Sequence, residues 1–121
     1  RKKFGGKLIS KNKTGKFILK KFKEKNILFV LADQVPENLN NTTTIKFLNR
    51  NTTFSKGLEK LCLNSNAIVL YAKMEKKNRG YYTVEFSKVG RNIIKEFAKK
   101  TEDSIFEKPE YWLWSHNRWK R

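Results

Sequence analysis

His116 is the single histidine of the chain, and its unperturbed side chain is the one here that would exchange a proton near neutral pH. Such an imidazole could deprotonate a hydroxyl if a carboxylate oriented it. It stands in the closing stretch PEYWLWSHNRWKR, Pro109 to Arg121, and only Asn117, Arg118, Trp119, Lys120 and Arg121 follow it. An orienting acid would therefore come from elsewhere, from Asp33 or Glu110. A role packed among the tryptophans competes with the catalytic one. Asp33 ends the apolar run NILFVLADQVP. A carboxylate at the end of a buried strand is desolvated unless a cation or several N–H groups meet it, so Asp33 could position an arginine or a substrate group. Its competing role is as a turn-former ahead of Pro36. The lone Cys62 excludes an internal disulfide and any Cys-based zinc cluster, which fits a reducing compartment.

The elements that would position these residues follow from periodicity. KLIS reads as a short strand, and KTGKFILKKFKEKN groups Phe17, Ile18 and Phe22 on one face of an amphipathic helix. NILFVLADQVP has the continuous apolar character of a strand buried on both faces, which places Asp33 and Gln34 at its carboxyl end. ENLNNTTT is turn-like, TIKFLN is a short strand, and NRNTT is a second turn. Ser55 then caps a helix carrying Leu58, Leu61 and Cys62 on one face. NAIVLYAKM is another apolar strand. RGYYTVEFSKV alternates, Tyr82, Val84 and Phe86 against Tyr81, Thr83 and Glu85, with EKKNRG as the hairpin loop. NIIKEFAKKTEDSIFEK has helical spacing at Ile93, Ile94, Phe97 and Ala98. The expected class is α/β: a mixed, mostly parallel sheet flanked by helices, in one domain over residues 1–121.

Charge bounds the partners. With 28 Lys and Arg against 11 Asp and Glu, the net charge is +17, an attraction to polyanions of every kind. A non-enzymatic basic module that binds nucleic acid or an anionic membrane is the alternative this supports. Nucleic acid is disfavoured, since the lysines spread over helix faces instead of interleaving with exposed aromatics. The longest apolar stretch, Ile27 to Ala32, falls far short of the roughly 20 residues of a membrane span.

Four stretches carry a resemblance. RKKFGGKLI, LADQVP, FLNRNTTFSKGLEKLC and KPEYWLWSHNRWK resemble, in that order, an Arg-x-Arg-x-Gly segment, a strand ending in Asp-Gln or Asp-His, an FFG…G…LA segment and a closing PEQ(W/Y)LW.H.R(W/F)K. These belong to the HtrB/LpxL-type late acyltransferases of bacterial lipid A biosynthesis, in the lysophospholipid acyltransferase superfamily. The similarity spans essentially all 121 residues, and the closing stretch is its most specific part.

The resemblance implies transfer of a fatty acyl chain from acyl carrier protein to a hydroxyl of a lipid A precursor, at the cytoplasmic face of the inner membrane and without cofactor or metal. The family's catalytic His, separated by four residues from an Asp or Glu, has no counterpart here. The chain is thus expected to be the carboxyl-terminal half of a larger acyltransferase domain, inactive alone. Asp33 and Arg1 match supporting acid and arginine positions near that dyad. Gln34, Gly57, Glu59, His116 and Arg118 are the expected substrate-binding residues. An anionic membrane surface is a further expected partner, and the edge left by a missing half-sheet would favour a homodimer of the fragment.

Overall fold

The hairpin Thr42–Phe47 (β1) and Arg50–Ser55 (β2) is the framework on which the chemistry-bearing residues settle. Its strands pair antiparallel, Phe47 opposite Arg50 and Thr42 opposite Ser55. Leu48 and Asn49 turn the chain with φ of 50° and 60°. Two positive φ values in a two-residue loop give the twist that hairpin strands prefer. Leucine is disfavoured there, but its N–H is fixed by the Glu102 carboxylate, Leu48 N donating to Oε1 at 2.5 Å.

The coordinates are a computed structural model that describes residues 3–21 and 26–119. They divide into two compact units, Arg1–Val30 and Leu31–Arg121. The first holds helix α1, Lys11–Lys21, whose start is tied by Ser10: its carbonyl accepts from Lys13 N at 2.9 Å and Thr14 Oγ1 at 3.1 Å. Ile18 is buried, as its place on the apolar face requires. Phe22 lies outside the described residues, and KLIS forms no strand.

In the second unit, a short 3₁₀ turn at Leu39–Asn41 leads into β1. After β2 come α2 (Gly57–Ser65), the hairpin β3 (Leu70–Asn78) with β4 (Tyr81–Lys88), and α3 (Ile93–Glu107). Ile94, Ala98, Thr101 and Ile105 of α3 are buried, one face at helical spacing. Ile94, Ala98 and Ile105 form the core with Phe47 and Phe54, flanked by Ile45, Phe97, Trp112 and Trp119. Phe47 and Phe54 meet edge to face at 5.6 Å.

The expected mostly parallel sheet is not what the chain forms. Among the described residues the strands make two separate two-stranded antiparallel sheets, β1–β2 and β3–β4. Each hairpin closes through a short local turn, whereas a parallel pair requires a long crossover between strands that then need neighbours on both sides. The run expected as the central buried strand is irregular: Ile27 is 99% and Phe29 75% exposed. Asp33 therefore sits in irregular chain and not at a strand end. β3 and β4 are largely exposed strands, and NRNTT, expected as a turn, supplies the start of β2.

Candidate functional site

Pro109 stops α3 and opens a 3₁₀ turn, Pro109–Tyr111, because a proline supplies no N–H to continue the helix. The chain then folds back over the first hairpin. Trp112 packs on Phe47, ring centroids 6.2 Å apart. Trp114 donates its indole N–H to Pro109 O at 2.7 Å, closing the segment on itself.

Arg118 is the centre of this contact. It is 4% exposed. Nη2 donates to Thr53 O at 2.6 Å, and the guanidinium lies 4.8 Å from the Phe54 ring centroid. Beside it Trp119 Nε1 donates to the buried Thr52 Oγ1 at 2.8 Å, and Arg50 covers the Trp119 ring at 4.7 Å. Two residues of the terminal segment thus grip adjacent positions of β2, the carbonyl of Thr53 and the hydroxyl of Thr52. Burial makes the guanidinium easier to deprotonate, and the carboxylate of Asp33 opposes that shift. Asp33 thus acts on Arg118 through space, without an ion-pair contact. Asp33 and Arg118 are the two candidate residues the fold brings into one electrostatic neighbourhood.

The others fall elsewhere. Gln34 and His116 are exposed, and the His116 N–H closes a turn on Leu113 O at 3.0 Å. Arg1 lies outside the described residues. Gly57 begins α2, where Ser55 Oγ accepts its N–H at 3.4 Å, one residue before the capping Lys56. A side chain at Gly57 would meet only ordinary contacts, Ser55 Oγ at 3.5 Å and Asn41 Nδ2 at 3.6 Å, so close packing does not require the glycine. Glu59 faces the protein: its Oε1 accepts from Ile94 N at 3.4 Å, a carboxylate at the amino end of α3 where the helix dipole favours it. The same carboxylate, after burial itself, pushes the Cys62 thiol up, which keeps that sulfur protonated and unreactive.

Sequence reasoning missed two clusters. Glu102 holds the β1–β2 turn, and only the fold reveals that pairing. The second fills the cleft between β3 and α3. Lys73 pairs with Glu107 and, at 3.3 Å, with Glu75, while Glu75 is also met by Lys77 at 2.9 Å and by Lys108 at 3.9 Å. Lys77 and Lys73 hydrogen bonds, followed by the charge of Lys108, hold the Glu75 carboxyl down at about 2. The alternation of Lys73 and Glu75 on one strand face was the available signal. The cleft's charges neutralise one another, and it contains no nucleophile beside a base.

Among the described residues no group of three His, Cys, Asp or Glu could hold a metal ion, and no helix is long and apolar enough to cross a membrane. The site is a buried cation backed by a carboxylate, on a hairpin clamped by aromatic rings, in a strongly basic chain. It can anchor a loop or support an anion site; general-base chemistry would need an oriented imidazole that it lacks. The family model for bacterial lipid A biosynthesis acyltransferase matches residues 1–121. No curated protein and no solved structure matches the chain.

Proposed function

The chain belongs to the bacterial lipid A biosynthesis acyltransferase family, and on that premise we propose that it serves as the carboxyl-terminal supporting part of an enzyme acylating a hydroxyl of a lipid A precursor, with acyl carrier protein as donor. The observation that carries the reading is the family match over the whole chain. In the reaction the acceptor oxygen attacks the thioester carbonyl and loses its proton to a base; the C–S bond breaks and the carrier's thiol leaves with a proton.

The residues here support that chemistry without performing the proton transfer. Five positions to either side of His116 stand Tyr111 and Arg121, so no acid occupies the dyad spacing. The general base comes from a His/acid segment outside these 121 residues, and the 121 residues alone are inactive. Arg118 fixes the terminal segment on β2, with the charge of Asp33 acting on its guanidinium through space. Gln34 and His116, both exposed, are the site residues free to touch a polar acceptor. The excess of cations suits a phosphate-bearing lipid at the cytoplasmic face of the inner membrane.

The test joins the chain to a family segment carrying the dyad and measures acyl transfer from acyl carrier protein to a lipid A precursor. Transfer by the joined protein and none by the 121 residues is the expected result. An inert joined protein, with the 121 residues binding DNA in a steeply salt-dependent way, sinks the reading in favour of a basic binding module.

A further inference from the structure

Strand alternation divides the β3–β4 hairpin into two faces with different surroundings. Tyr71, Lys73 and Glu75 turn toward α3: Tyr71 meets the Phe97 ring at 5.9 Å and Ser104 Oγ at 3.3 Å, and Lys73 pairs with Glu107. The opposite face carries Leu70, Met74, Tyr82, Val84 and Phe86, all exposed, Met74 to 66% and Phe86 to 63%. The register sets Met74 opposite Val84 and Ala72 opposite Phe86. These side chains consequently form one continuous strip across both strands.

Cations border the strip. Lys88 is opposite Leu70, Lys76 is opposite Tyr82, and Arg79 stands in the turn beside Gly80, whose φ of +80° lets the chain reverse. Among the described residues none of Lys76, Arg79 and Lys88 forms an ion pair with a carboxylate, in contrast to Lys73 and Lys77 on or near the covered face. Monomeric proteins rarely leave a contiguous apolar strip of this kind uncovered.

We infer that this face of the β3–β4 hairpin docks on an anionic lipid surface, its apolar strip entering the headgroup–acyl boundary while Lys76, Arg79 and Lys88 reach lipid phosphates. A second copy of the chain would cover the strip but bring +17 against +17, with like charges facing one another. An anionic bilayer satisfies the apolar strip and the unpaired cations together. Tyr82, exposed near the tip, has the amphipathic ring favoured at headgroup depth. The inference deepens the proposed function, since it rests on that reading for the membrane as workplace, yet its test needs no acyl transfer.

The 121-residue chain is to be sedimented with vesicles of phosphatidylcholine alone and of phosphatidylcholine mixed with phosphatidylglycerol. The mixed vesicles are expected to capture it and the neutral ones to capture little. A Met74→Thr, Phe86→Thr variant keeps every charge and strand-favouring side chains, and should bind the mixed vesicles about tenfold or more weakly. Replacing Lys76, Arg79 and Lys88 with Gln should remove most of the preference for anionic lipid, whereas Leu63→Ser on exposed α2 should change nothing. Far-UV circular dichroism confirms that each variant keeps its fold. Equal vesicle binding by the wild type and the Met74→Thr, Phe86→Thr variant overturns the inference. So does a dimer, seen by sedimentation equilibrium, that this variant dissolves while vesicle binding persists. Loss of acyl transfer in the joined protein with lipid binding intact would strike the functional reading and leave this one standing.

Discussion

Arg118 sets two opposing demands against each other, since a buried guanidinium loses its hydration and keeps its charge only where the protein replaces that hydration. The replacement is visible: a carbonyl at 2.6 Å, the face of Phe54 and the through-space field of Asp33. A charge-assisted hydrogen bond and a partly desolvated cation–π contact together are worth about 2–3 kcal/mol, so Arg118→Ala should lower the stability in urea by roughly that much. Arg118→Lys should recover only part of it, because an ammonium cannot lie flat on the ring. In the joined protein, Asp33→Asn should reduce acyl transfer several-fold with little change in urea stability; full activity would remove Asp33 from the site. The sequence made Arg118 look like a surface cation, since it lies among Lys120, Arg121 and Asn117. Its burial follows from the tail folding back on β2, a non-local pairing that local composition does not encode. His116, singled out by chemistry, is exposed, and the spacing that denied it an acid partner was legible from the outset.

The two hairpins differ in what holds them, and each difference can be measured. Leu48 and Asn49 both occupy the left-handed region, in a turn that strongly favours glycine at its second position. Asn49 is exposed, so Asn49→Gly should raise stability by a few tenths to about 1 kcal/mol in chemical denaturation. The β3–α3 junction depends instead on charge. Glu75, folded, titrates at about 2 against an ordinary 4.5. A carboxyl depressed on folding contributes stability that is complete above its unfolded value and is lost as pH falls toward its folded one. The wild type should therefore lose stability between about pH 4.5 and 2, and Glu75→Gln should flatten that part of the profile in urea midpoints measured across it. Helices α1, α2 and α3 were all legible, α3 most fully, because Ile93, Ile94 and Ala98 recur at its period and are buried. β2 was hidden because Asn51, Thr52 and Thr53 read as turn-formers, while its burial rests on Thr52 and Phe54 alone. The apolar run from Ile27 was misread for the converse reason: hydrophobicity marks what could be buried, and burial also needs a neighbour to pair with.

Across the whole molecule the charge imbalance outweighs any single pair. Of 28 cations, 17 have no counter-charge within the chain, and this excess was plain from composition, as the β3–β4 hairpin was from its loop EKKNRG, while the pairing of β1 with β2 was not, because NRNTT reads as a turn and not as a strand. Net charge of this size opposes compaction through self-repulsion. Added salt acts on two terms of opposite sign. It weakens exposed pairs such as Lys99 with Asp103, 3.7 Å apart, which contribute little in any case. It also screens the repulsion among all the uncompensated cations, cutting their interaction beyond about 8 Å at physiological ionic strength. The second term involves many more charges than the first, so the urea midpoint near neutral pH should rise as sodium chloride is added from low ionic strength and level off once the screening length falls below the spacing between cations. Sodium sulfate at matched ionic strength should raise it further, since excluded kosmotropic anions also strengthen burial. A midpoint that falls with salt would mean that the Glu75 cluster and its neighbours outweigh the net repulsion, and that the chain's basicity is locally balanced in the fold.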